Sequence, residues 1–247
     1  MKLIKNPIDN RTWWRAQSGQ GMTEFIIVAM LFLSLMAGVV EMTYVYRAKH
    51  LFNTATFDAA RTGSLHNAEL APMLDTLTRD MAPLYMQTNR TLDAVSQAVI
   101  QAQGVLAAMQ TVGVPLVIVS PTKETFDKLS EPQNIKLADQ TTAAIQQVIP
   151  NDNLQWRNRD AQPITVDGGP GTINVQDANL LRIRAYWCQR LVVPALDQII
   201  HGLTYPSPQQ TMCDAVGQQD QHYYLAIESD ALIRMQTPVA YVDGNLQ

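Results

Sequence analysis

The sequence predicts an α+β fold, in which a long N-terminal transmembrane helix continues into a domain of helices packed on a small, mostly antiparallel sheet. Three observations predict it. Residues 25–40 form an unbroken apolar run in which only Ser34 and Gly38 are mild interruptions. Further on, apolar residues recur at helical spacing through residues 70–84 and again through 92–109. Near the C-terminus two stretches alternate apolar and polar residues with a period of two, the mark of strands with one buried face.

The apolar run comes first in the chain. Its 16 residues would rise about 24 Å, short of a hydrocarbon core of about 30 Å. Continued through Glu41 to Tyr46 the helix reaches about 33 Å, enough to span. Trp13 and Trp14 before it, and Tyr44 and Tyr46 at its end, suit interfacial belts. Glu41 is then expected near the outer interface, in reach of water. Residues 47–65 continue the helix, with Leu51, Ala55, Ala59 and Thr62 on one face and Gly63 and Ser64 as stops.

Two amphipathic helices are expected next. Leu70, Met73, Leu74, Leu77, Met81 and Leu84 make one stripe, and Leu92, Val95, Val99, Ala102, Leu106 and Met109 the other. Residues 114–119 read as a buried strand. Ser120 and Pro121 read as the N-cap and first position of a short helix through Leu129. Residues 137–148 read as a further helix stopped by Pro150, and Asn151, Asp152 and Asn153 as a turn. Residues 168–171, Gly-Gly-Pro-Gly after Asp167, read as a hairpin turn.

In the strand at 181–187, Leu181, Ile183 and Trp187 alternate with Arg182, Arg184 and Tyr186. In the strand at 225–235, Leu225, Ile227, Ala231, Ile233 and Met235 alternate with Glu228, Asp230 and Arg234. The opposite charges of the two wet faces favour pairing of these strands, at about 0.2–1 kcal/mol per cross-strand pair. Residues 194–202 are expected as a short helix between them, and 205–217 as a loop pinned by Cys213.

Charge and composition narrow the function. Among 247 residues only 16% are charged and the net charge is −4, so a nucleic-acid-binding footprint is absent. In residues 1–19, Lys2, Lys5, Arg11 and Arg15 against Asp9 give +3, and the remaining residues carry −7. A basic flank before an apolar helix reads as cytoplasmic, although Arg47, Lys49 and Arg61 on the other side work against it. Cys188 and Cys213 lie in the part then placed outside the cytoplasm. There they would form a disulfide closing a 25-residue loop, worth roughly 3–3.5 kcal/mol; the alternative is two buried free thiols.

Catalytic patterns do not stand out. His50, His66, His201 and His222 have no His or Cys three to five residues away, so metal-ligand spacing is missing. Asn151-Asp152-Asn153 has too few carboxylates for a calcium loop. The glycine cluster at 168–171 lacks the Lys-Ser/Thr of a phosphate loop. No cofactor, metal or enzymatic activity is expected.

The apolar run admits three readings: a signal peptide removed whole, a plain membrane anchor, or a prepilin helix cut at Gly19. Leu35-Met36-Ala37 is poor as a signal-peptide cleavage site. Only the prepilin reading gives Glu24 a role, because a lone carboxylate at the entrance to hydrocarbon is costly without a partner. After such a cut the free amine of Gln20 would pair with Glu24 of a neighbouring subunit and set the axial register.

Three stretches carry a family resemblance: Q-G-M-T-E-F (residues 20–25 with the flanking Gly19), E-x-x-x-x-Y-R at 41–47, and N-T-A-x-x-D-A-A-R-T-G at 53–63. They resemble the TadE-like family, minor pilins or pseudopilins of Tad/Flp, type IV-like pilus systems. Residues 149–154, 176–184, 191–194 and 233–238 are similar to segments of longer members. The resemblance implies processing by a prepilin peptidase between Gly19 and Gln20, and an assembly role for Glu24 and Phe25. Gly21 offers a competing cut, which would leave Glu24 only three residues inside. The implied organisation is a leader at 1–19, a transmembrane and assembly helix at 20–65, and a periplasmic domain at 66–247. The expected location is the bacterial inner membrane as a single pass with a cytoplasmic N-terminus, and then an extracellular pilus. Implied partners are the peptidase, other Tad/Flp pilins and minor pilins, an inner-membrane assembly platform and membrane lipid. An uncleaved single-pass scaffold of the same machine is the alternative.

Overall fold

The computed structural model describes residues 20–86, 91–137, 140–157, 159–166, 169–194, 196–242 and 244–246. The expected leader with Gly19, Trp13 and Trp14, and Asp167 and Gly168 of the expected turn, lie outside the described residues. The architecture is mixed α and β, as expected. It opens with α1 (Gln20–Leu65), one helix of 46 residues and about 69 Å. Then come α2 (Leu70–Met81), a 3₁₀ turn (Ala82–Tyr85), α3 (Leu92–Val112), β1 (Leu116–Ser120) and α4 (Lys123–Leu129). The hairpins β2 (Glu131–Ile135) with β3 (Ala144–Ile149), and β4 (Gln162–Val166) with β5 (Gly169–Ile173), follow. After α5 (Val175–Ala178) come β6 (Leu180–Arg190), α6 (Leu196–Leu203), α7 (Pro208–Asp220), β7 (Tyr224–Arg234) and β8 (Val239–Ala240).

The central sheet has the order β1-β6-β7 and is antiparallel throughout. Leu181, Ile183, Ala185 and Trp187 of β6 are buried, and Phe52 of α1 lies 6.4 Å from Trp187, ring centre to ring centre. The outer face carries the expected charge pairing. Arg184 stands directly opposite Asp230, with Nε donating to Oδ1 at 3.0 Å, and Arg182 reaches the same carboxylate at 3.9 Å. Glu228 instead faces Tyr186.

Small residues let α1 come close to the domain. Ala48, Ala55, Ala59 and Ala60 are buried, and a Cβ on Gly63 would collide with Met73 of α2 and meet Leu181 of β6. Beyond the helix, Gln236 and Thr237 donate backbone N–H groups to the Ser64 carbonyl, each at 3.0 Å. The side chain of Asn67 donates to the Pro238 carbonyl at 2.8 Å.

Several local expectations are corrected. The stripe on α3 packs only from Ala98 onward; Leu92 is 89% exposed and Val95 is exposed, so the first turn contributes nothing to the core. The first strand begins at Leu116, leaving Val114 exposed. Ser120 closes that strand opposite Arg182, so the cap of α4 falls to Thr122, whose side chain accepts from the Thr125 N–H. Residues 144–149 are a strand, not a helix. Val148 and Ile149 pair with Ala240 and Val239 of β8 and are buried side by side, which a helical stripe would not give. Strand β2, which pairs with β3, was not anticipated. In the β4–β5 hairpin Val166 pairs with Gly169, so Gly169, Pro170 and Gly171 belong to the strand and not to the turn. Residues 208–220 are a helix where a loop was expected, started by the Ser207 side chain, which accepts from the Gln210 N–H, with Pro208 at its first turn.

Candidate functional site

From Phe25 to Val40, α1 is apolar all round and mostly exposed, with Ala37 and Gly38 half-buried on the side of α6. Phe25 is 71% exposed, and Ile27, Met30, Leu31, Phe32, Leu33, Leu35 and Val39 are exposed as well. A helix that is apolar on every face and unburied needs an apolar surrounding. This one is long and apolar enough to cross a membrane. Glu24 sits one residue before Phe25, exposed, with no hydrogen bond or ion pair among the described residues. Gln20 is the first described residue of the helix.

Glu41 behaves in the opposite way. It was expected near water at the outer interface; its residue is 0% exposed. Both carboxylate oxygens accept from the Val192 N–H at 3.1 Å, and Oε2 also accepts from the Val193 N–H at 2.7 Å. These two amides are free to donate because β6 ends at Arg190 and the chain turns toward Pro194 and α6. A carboxylate facing two backbone donors forms charge-assisted bonds, roughly twice as strong as neutral ones. The bond fixes the height at which the domain meets the helix. Two separate motif stretches, Glu41-x-x-x-x-Tyr46-Arg47 and Leu191-Val192-Val193-Pro194, thus meet at one point. No sequence signal marked it, since the donors are backbone groups 151 and 152 residues away.

Cys188 and Cys213 form the disulfide, with Cα atoms 5.3 Å apart, joining β6 to α7. Gln210 adds to that join: its side chain donates to the Tyr224 carbonyl at 2.8 Å and accepts from the Ala226 N–H at 3.1 Å. On the preceding helix, His201 Nε2 lies 2.8 Å from Asp214 Oδ1, so α6 is tied to α7. Desolvation, with the Asp220 carboxylate at 2.5 Å, pushes the Tyr224 hydroxyl well above its ordinary pKa. Among the described residues no three His, Cys, Asp or Glu side chains gather to hold a metal ion.

The arrangement therefore offers an exposed apolar helix with one uncommitted carboxylate near its start, and a folded domain clamped to the same helix from Glu41 onward. Residues 19–61 match the family model described as TadE-like protein. The match spans Glu24, Phe25 and Glu41 and ends inside α1, so the likeness to TadE-like proteins is a likeness of this helix. No curated protein and no solved structure matches the chain.

Proposed function

We propose that this chain is a minor pilin or pseudopilin of a Tad-type pilus, without enzymatic activity. A prepilin peptidase cuts it between Gly19 and Gln20 on the cytoplasmic face of the inner membrane. The 20–65 helix holds it in the bilayer with the 66–247 domain in the periplasm. It then joins, or primes, a thin adhesive filament with other Tad/Flp pilins at the inner-membrane assembly platform. The observation that carries this reading is Glu24, exposed on a bare apolar helix within the segment that matches the TadE-like family.

The physical logic is one of partners. In hydrocarbon a carboxylate needs a counter-group. Glu41 has its own within the chain, and Glu24 does not among the described residues. A new amine on Gln20 of an adjacent subunit, brought alongside as helices pack, supplies one. A plain anchor has no use for such a pair.

The test is the mass of the N-terminal peptide of protein recovered from membranes and sheared filaments of cells making the whole pilus machinery. The expected N-terminus is Gln20, and Gly19→Leu leaves the full-length chain in the membrane. A mature chain still beginning at Met1 replaces this reading with an uncleaved single-pass scaffold. A chain beginning at Met22 moves the cut to Gly21.

A further inference from the structure

We infer that α6 is a membrane foot: its apolar face lies in the interface of the leaflet nearest the domain, beside the span, in contact with lipid. The inference rests on the reading of α1 as a membrane span. Leu196, Ile199, Ile200 and Leu203 fall at i, i+3, i+4 and i+7, one continuous stripe on a two-turn helix. None of the helix's residues is buried. Leu203 is 81% exposed, Ile199 57% and the following Tyr205 85%. The polar edge is accounted for by the bond from His201 to Asp214, which turns that side toward the domain.

Position identifies the occupant. A groove of about 830 Å³ runs along α1 from Ser34 to Lys49, and Leu196 and Ile200 of α6 with Ile227 of β7 form its other wall. The apolar stripe of α6 is thus continuous with the exposed apolar surface of the span. Leu35, in the same groove, lies about 9 Å along the axis from Glu41 toward the span. Interfacial helices bury their apolar face about 5–10 Å into the boundary between headgroups and acyl chains. The segment 196–203 carries Asp197 and no lysine or arginine, so the contact is apolar and does not depend on anionic headgroups. Glu41 is the positioning residue, because its bonds to Val192 and Val193 hold the strap that leads into α6.

Depth-dependent quenching in vesicles tests this with the full chain. Leu203→Trp, Leu31→Trp and Gln218→Trp are made singly in a background with Trp13→Phe, Trp14→Phe and Trp156→Phe, and the buried Trp187 supplies a constant signal. All three sites are exposed, so tryptophan there leaves the fold intact. Vesicles are phosphatidylcholine brominated on the acyl chain, either near the headgroup or near the methyl end. The account expects Leu203→Trp to lose most of its added emission to shallow bromines, Leu31→Trp to deep ones, and Gln218→Trp to neither. Adding Ile199→Asp to Leu203→Trp should remove the shallow quenching. Quenching at position 31 but not at 203 overturns the foot and leaves the span standing. No quenching at 31 overturns the span, and the foot with it. Emission at 203 that is shielded from bromine but varies with protein density puts a second copy of the chain on α6 and overturns lipid contact. Equal quenching at 218 makes the contact a property of the whole domain and overturns it as well.

Discussion

The two halves of α1 are one continuous helix with opposite surroundings. From Phe25 to Val40 no residue is buried and most are exposed, while from Glu41 to Ser64 alanines, Phe52 and Thr56 disappear into the domain. Each half carries a glutamate. Glu41 is sealed against two backbone amides, and Glu24 stands exposed. A carboxylate in an apolar helix therefore has no fixed meaning; what matters is whether the fold supplies donors for it. At residue 41 the fold does. At residue 24 there is none among the described residues, and the proposed function takes the donor from a neighbouring molecule.

The sharpest way to break this contrast is to cut away equal side chains from both halves. Phe52→Ala should cost about 3–5 kcal/mol of domain stability. Phe25→Ala should change it by less than about 0.5 kcal/mol. Denaturant unfolding of the solubilised chain, followed by near-UV circular dichroism, reads both. Equal losses would mean that the two halves are not distinct.

Joint replacement by Cys188→Ala and Cys213→Ala should cost about 3 kcal/mol by the chain-entropy argument. It acts on the β6–α7 join, so protein recovered from membranes should still be inserted. Loss of insertion, measured by carbonate extraction, would tie the span to the far side of the domain and erase the division between halves.

Glu41→Ala leaves the Val192 and Val193 amides without acceptors and should cost about 2–3 kcal/mol. Glu41→Gln keeps one acceptor oxygen and should recover part of that. Amide exchange at Val192 and Val193 should quicken in Glu41→Ala well beyond the change at β6. Unchanged exchange would show that the carboxylate does not hold this strap.

What could be read in advance follows the length over which each signal acts. The apolar run of α1, the stripe on α2 and the alternation in β6 and β7 are repeated over many residues, and the matching charges of Arg184 and Asp230 pointed to their pairing. Strands β2 and β3 carry no such pattern. Ile145 is 77% exposed, so the apolar residues of 137–148 mimicked a helical stripe without forming a core face. Helix α7 is short of apolar residues and depends on Ser207, the disulfide and Gln210, which are signals of its ends and contacts and not of its period. Glu41 itself was visible, but its partners are main-chain groups, and a backbone N–H has no letter in the sequence.

The smallest expected change in stability is at Glu24. Glu24→Ala should shift unfolding by less than about 0.5 kcal/mol, since the carboxylate is exposed and outside the domain. Under the proposed function its effect belongs to assembly. The most direct test is the fraction of processed protein entering sheared filaments or cross-linked pilus complexes, for wild type, Glu24→Ala and Glu41→Gln in cells with the full machinery. The account predicts that Glu24→Ala is inserted, cut and folded like wild type but largely missing from the assembled fraction, whereas Glu41→Gln assembles in proportion to its folded amount. Glu24→Ala entering filaments as efficiently as wild type would contradict the account.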